Sequence, residues 1–151
     1  MRTHRTPLAG LAAAGLLALA IAAPAAAGSG RVEITLDANF GTGVETFTAT
    51  GAFCPAGTAQ TPGIFFAGRG RASTFHLFKV LTCANGLDTL TIRVDAATIA
   101  GAPGDQGGWS VVEGTGAYAG AGGGGRLVGT YYDNGGGDAG VVDRYAGVIN
   151  R

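Results

Sequence analysis

The sequence predicts an all-β fold: seven or eight antiparallel strands closed into a barrel. Three observations carry that reading. Apolar and polar residues alternate with a period of two over most of the chain, as they do when side chains point to opposite faces of a half-buried sheet. No stretch shows the periodicity of a helix long enough to cross between parallel strands. Asn-Gly pairs, prolines and glycine clusters separate the alternating runs, which is turn chemistry.

Residues 1–27 have a different character. Arg2 and Arg5 form a basic start, an uncharged apolar run follows from Leu8 to Ala23, and Pro24-Ala25-Ala26-Ala27 closes the segment with small residues. That is the pattern of a signal peptide cleaved after Ala27. The apolar run is shorter than the roughly 20 residues of a membrane span and is weakened by Gly10 and Gly15. A secreted protein is therefore expected, with no membrane span after cleavage. Residues 28–151 then form a single domain of 124 residues, long enough to bury a core. Without Arg2 and Arg5, eight basic residues face ten acidic ones, and Lys79 is the sole lysine. With no basic patch, nucleic acid and anionic membranes are poor partners.

The first strand is "RVEITLD", with Val32, Ile34 and Leu36 on one face and Arg31, Glu33, Thr35 and Asp37 on the other. "VETFTATGAF", from Val44 to Phe53, continues in β-branched and aromatic residues. Pro55, Pro62 and Gly63 read as a longer connection, followed by a long strand over 69–82 that is bent or split. Asn85-Gly86 is a hairpin signal before "DTLTIRVDA", which sets Leu90, Ile92 and Val94 against Thr89, Thr91, Arg93 and Asp95. Pro103 and its neighbouring glycines read as another connection ahead of a strand over 109–113. Strands over 125–132 and 141–149 flank a loose loop opened by Asn134-Gly135. An immunoglobulin-like sandwich wants a Cys…Trp…Cys order, and Trp109 follows both cysteines; the barrel is favoured.

Cys54 and Cys83 are the only cysteines. Behind an export signal they are expected to pair, and neither belongs to a CxxC redox motif.

The glycine-rich run after Trp109, "WSVVEGTGAYAGAGGGGRLVG", admits three readings. A dinucleotide loop needs G-x-G-x-x-G and a helix after it, whereas Gly114, Gly116 and Gly120 are spaced G-x-G-x-x-x-G and four further glycines follow. A disordered spacer is at odds with Tyr118 at its centre and strand-like residues on both sides. The remaining reading is a structural turn at a barrel corner, anchored by Tyr118 and made of Gly114, Gly116 and Gly120.

Gly114, Thr115, Gly116, Tyr118, Ala119, Gly120, Gly122 and Gly124 after a Trp-led strand, with Tyr145 and Gly147 in the closing strand, resemble the signature of allene-oxide-cyclase-like and dirigent-like barrels, especially their small secreted bacterial members. "FCPAGT" and "LTCANG" around the two cysteines are similar to the paired-cysteine pattern of those proteins. The resemblance covers most of residues 28–151 and implies a calycin-like eight-stranded barrel. Ala121 stands where the family has leucine, and Asn85-Gly86-Leu87 replaces a more acidic turn. The motif is structural and says little about activity; the polar lumen residues of the plant cyclases find no match here.

Chemistry-bearing residues are sparse. His76 is the one histidine after residue 27, so a His-rich zinc site is excluded. Three residues from Ser73 on one strand, it points the opposite way, and it is read as facing solvent. No G-x-S-x-G elbow surrounds a serine. Asp133 and Asp138 flank glycines but lack the repeat of a calcium-binding roll; a solvated hairpin loop is expected. Glu33 lies on a polar face and Arg93 opposes Leu90, Ile92 and Val94, so both are read as exterior. Arg69, Arg71 and Glu113 remain the candidates to orient a ligand's polar end at a barrel mouth.

The functional expectation is a secreted barrel that binds a small apolar ligand or an extracellular partner, needs no cofactor or metal, and has a mainly apolar interior. A cofactor-free isomerase or cyclase, as the resemblance implies, and a structural extracellular or envelope protein are the alternatives. Catalysis demands at least two polar groups converging in the lumen with shifted pKa values.

Overall fold

The computed structural model describes residues 28–151 apart from Gly70; the signal peptide expected over residues 1–27 lies outside the described residues. Eight antiparallel strands run in sequence order and close into a barrel: β1 (Ser29–Asn39), β2 (Glu45–Gly51), β3 (Ala56–Arg69), β4 (Ala72–Cys83), β5 (Thr89–Ile99), β6 (Gly104–Thr115), β7 (Gly122–Asp133) and β8 (Ala139–Asn150). Strand β8 closes the ring on β1 from Ser29↔Asn150 to Asn39↔Gly140. A single 3-10 turn, Gly116–Tyr118, lies between β6 and β7.

Alternation puts the anticipated residues inside. Val32, Ile34, Leu36, Leu90, Ile92 and Val94 are each at most 1% exposed, and burial of each such side chain contributes roughly 1.5–3 kcal/mol. Glu33 and Arg93 are on the outside, as is His76, which pairs with Asp95; Arg93 Nη2 donates to the same carboxylate at 2.9 Å.

Two stretches differ from the sequence reading. Residues 56–69 form a full strand rather than a connection, and this is the eighth strand. Its register shifts between Gln60 and Gly63, where Pro62 has no N–H for the ladder. Such a bulge adds one residue and reverses the inward phase: Ala59 and Thr61 face the lumen before it, Ile64 and Phe66 after it. Strand β6 likewise begins at Gly104, ahead of the expected Trp109, because glycine lacks the side chain that makes a period visible.

The connections at 52–55, 84–88 and 116–121 gather at one end, together with Gly28 and Arg151, whose backbones share a 3.1 Å hydrogen bond. This end is sealed. Phe53 stacks on Phe47 at 5.4 Å between centroids and meets the Tyr118 ring at a tilt of 59° and 4.8 Å, and Arg151 lies over the Tyr118 ring at 4.8 Å. Cys54 and Cys83 are bonded beside them. Within the glycine run, residues 116–121 form the turn, while Gly114 lies in β6 and residues 122–125 open β7. Gly116 has φ +59°, and a Cβ there would meet Asp88 Oδ1 at 2.0 Å, the same atom that accepts the Ala117 amide at 2.8 Å. Tyr118 is only 5% exposed. The opposite end, formed by the connections at 40–44, 70–71, 100–103 and 134–138, is open.

Candidate functional site

A cavity of about 220 Å³ opens at this second end. All eight strands contribute to it. Phe40, Ile64 and Phe66 form an apolar rim, and Phe75, Leu77, Val94, Leu127 and Val141 line the walls. Set into these walls are Glu45, Thr61, Lys79, Asp105, Tyr131 and Asp143. The expectation of a mainly apolar interior holds in both halves, and the open half adds buried charge that the expectation did not include, on Lys79, Asp105 and Asp143.

The polar residues form two groups. In the first, Lys79 Nζ donates to Glu45 Oε2 at 2.9 Å and to Thr61 Oγ1 at 3.0 Å, and Thr61 Oγ1 donates to Glu45 Oε1 at 2.7 Å. Strands β2, β3 and β4 are adjacent, and each places one member of this triad on its inward phase. Lys79 sits between Leu77 and Leu81 in that phase and is 4% exposed. A buried ammonium is tolerated when it is paired and hydrogen-bonded, as it is here.

The second group faces the first from β6, β7 and β8. Asp105 pairs in register with Gly129, and Gly129 with Asp143, so the three residues form one inward row across three strands. The middle position has no side chain, and the two carboxylates lean over it. A Cβ on Gly129 would lie 2.5 Å from Asp105 Oδ1 and 2.8 Å from Asp143 Oδ1. Any other residue there would push the carboxylates apart. Tyr131 donates to Asp105 Oδ2 at 2.8 Å and Tyr145 to Asp143 Oδ2 at 2.9 Å. Asp105 Oδ1 is buried with no hydrogen-bond partner.

Burial dominates the acidities. It pushes Asp143 up to about 6; Lys79 and the Tyr145 hydrogen bond oppose that shift, while Asp105 and Glu45 add to it. Asp105 is also raised by burial, with the Tyr131 hydrogen bond and Lys79 offsetting part of the effect. Burial and then the bond to Asp105 carry Tyr131 up to about 12, and burial followed by the Asp143 charge holds Tyr145 well above the usual phenol range. Both phenols are therefore fixed as donors at neutral pH, and the carboxylate pair sits where a proton is readily held or released.

Of the sequence candidates, Arg69 and Arg71 flank one turn and Glu113 lies apart from them. Arg69 ends β3 at the open end, and Arg71 is exposed in the adjoining turn, outside the cavity lining. Glu113 lies toward the sealed end, past the register shift between β5 and β6, opposite Thr91 and exposed. Asp133 and Asp138 are engaged in turn hydrogen bonds, Asp133 with the Gly135 amide and Asp138 with Asn39 and Asn134. The lumen carboxylates and Lys79 escaped the sequence reading, although a charge on the apolar phase of a strand signals Lys79 and Asp143.

Comparison with protein-family models, curated proteins and solved structures finds no match to this chain.

Proposed function

We propose that this protein is an exported barrel that binds a small molecule with an apolar body and a polar end in the open half of its lumen. The observation that carries the reading is a cavity with apolar rim and walls into which six polar side chains project. Ligand sites have this composition: apolar area supplies affinity and a few convergent polar groups fix orientation. At about 220 Å³ the cavity lies below the roughly 300 Å³ of drug-sized pockets, which suits a small molecule or one end of a longer one. Export is supported by the signal-like segment 1–27 and by the disulfide. The resemblance of the Gly114–Gly124 run to allene-oxide-cyclase-like barrels supports the same lumen as the working part.

Calorimetric titration of residues 28–151 with short alcohols, amines and fatty acids tests the reading. Binding by members of this panel is expected. Ala38→Phe, which fills the cavity from β1, should abolish it while leaving a cooperative melt. Failure of every compound to bind, or undiminished binding to the filled variant, would overturn the proposal.

A second reading, cofactor-free isomerisation or cyclisation by proton transfer, is favoured by one specific observation: Asp105 and Asp143, both with raised pKa, converge within the lumen. Proton transfer is fastest when the acid's pKa lies near the working pH, and Asp143 at about 6 meets that condition. Turnover of an unsaturated ligand found in the titration, lost in Asp143→Asn, is its signature.

A further inference from the structure

We infer that the polar end recognised in the lumen is a cation, and that the ligand class is a small primary or secondary ammonium with an apolar body. The inference rests on the binding function proposed above and names its ligand. Three carboxylates face the cavity, from Glu45, Asp105 and Asp143, against one ammonium. That ammonium is committed, since Lys79 Nζ bonds Glu45 and Thr61. Among the described residues, the Asp105–Asp143 pair has no hydrogen-bonded cation of its own. Each of its members receives one phenol hydrogen bond, on Oδ2, and the Oδ1 atoms converge over Gly129.

Asp105 Oδ1 points to unmet acceptor capacity: the residue is 8% exposed, it lines the cavity, and the atom has no partner of hydrogen-bond geometry among the described residues. A buried carboxylate oxygen left this way costs free energy that a charge-assisted N–H···O bond recovers. A carboxylate or phosphate ligand would place like charge against the pair, and an alcohol offers one donor where an ammonium offers two or three together with the compensating charge. The apolar rim of Phe40, Ile64 and Phe66 then covers the organic body.

The alternative occupant of the space over Gly129 is a proton, and it competes with the ligand. The titratable groups facing the pair are Glu45 on β2, Lys79 on β4, Tyr131 on β7 and Tyr145 on β8; β1, β3 and β5 present Ala38, Thr61 and Val94, which do not titrate. The phenols are held above their usual range, so the Asp105–Asp143 pair, raised by burial, governs the response. Binding should strengthen as pH rises through about 6, where Asp143 loses its proton.

The test is calorimetric titration with butylammonium and cyclohexylmethylammonium chlorides, 1-pentanol and sodium pentanoate, at pH 7.5 and pH 4.5. The ammonium compounds should bind at least tenfold more tightly than pentanol at pH 7.5 and weaken at least tenfold at pH 4.5, with pentanol unchanged and pentanoate weakest. Asp105→Asn and Asp143→Asn should each weaken the ammonium at least tenfold and spare pentanol. Pentanol or pentanoate equal to the ammonium, or ammonium binding independent of pH, overturns the cation reading even if neither variant folds. Pentanol binding alone leaves the lumen as a ligand site with the wrong ligand class. Binding by none of the compounds defeats both proposals.

Discussion

The two ends of this barrel use the same eight strands and the same inward phase for different ends. At the sealed end the inward positions carry Phe47, Phe53, Leu81, Leu90, Tyr118 and Ile149, with the disulfide beside them. At the open end the same phase carries Glu45, Thr61, Lys79, Asp105 and Asp143. An apolar lumen section stabilises the fold through burial. A section with buried ions is at best neutral in stability relative to well-packed apolar residues of similar volume. Stability is therefore concentrated in one half, and the other half is free to hold groups that cost the fold something. Substitutions in the two halves should move stability in opposite directions.

The largest effect should come from the sealed end's covalent link. Replacing both Cys54 and Cys83 with serine opens a loop whose ends are 29 residues apart and should cost roughly 3.5 kcal/mol on the chain-entropy estimate. Urea melts of the oxidised parent and the double variant measure it; equal midpoints would remove the disulfide from the account of stability. Next in size is Tyr118→Ala. The ring is 5% exposed between Phe53 and Arg151, and its loss should cost about 2–4 kcal/mol. Tyr132→Ala is its control, because that ring lies on the outer phase and its hydroxyl donates to Asp37 Oδ1; its effect should stay below about 1 kcal/mol. A Tyr132 loss as large as that of Tyr118 would break the distinction between the plug and the outer wall.

The open end supplies the effect of opposite sign. Asp143 is raised from 3.8 to about 6 in the folded chain, so the folded state holds its proton more tightly than the unfolded state does. The corresponding stability is fully present below about pH 4 and is lost as pH rises through about 6, an order of 3 kcal/mol in all. Asp143→Asn keeps an acceptor for the Tyr145 hydroxyl and removes the charge. It should raise stability at pH 7.5 by about 1–3 kcal/mol and flatten the profile between pH 4 and 6. Thermal melts across that range give the answer, and a variant less stable than the parent at pH 7.5 would assign Asp143 to the structural half.

How much of this was legible follows from what alternation can and cannot carry. Period two identified the inward faces of β1 and β5, and the cysteine count identified the staple. The same rule marks Lys79 between Leu77 and Leu81, and Asp143 between Val141 and Tyr145, as charges on an apolar phase. It fails for Asp105, which lies in "GAPGDQGG", where glycines erase the period, and for Thr61, whose orientation depends on a bulge at Pro62. Above all, alternation assigns a face and says nothing about which strands become neighbours around a ring. That Asp105 meets Asp143 over Gly129 depends on the registers of β6, β7 and β8, and those are set by closure of the whole barrel. Arg69 and Arg71 are candidates for the planar fork an arginine offers a ligand, and Glu113 for its place beside the glycine turn; neither argument says which charges a closed ring turns inward.

The hydrogen bond between Gly28 and Arg151 at the sealed end determines how the barrel would behave when attached to something. Gly28 and Arg151 themselves lie beside the Tyr118 plug, at the end of the barrel away from the cavity. A tag, a fused domain or a surface linkage at either point therefore leaves the rim of Phe40, Ile64 and Phe66 facing away from the support. Immobilised through either point, every copy would stand with its opening toward solution.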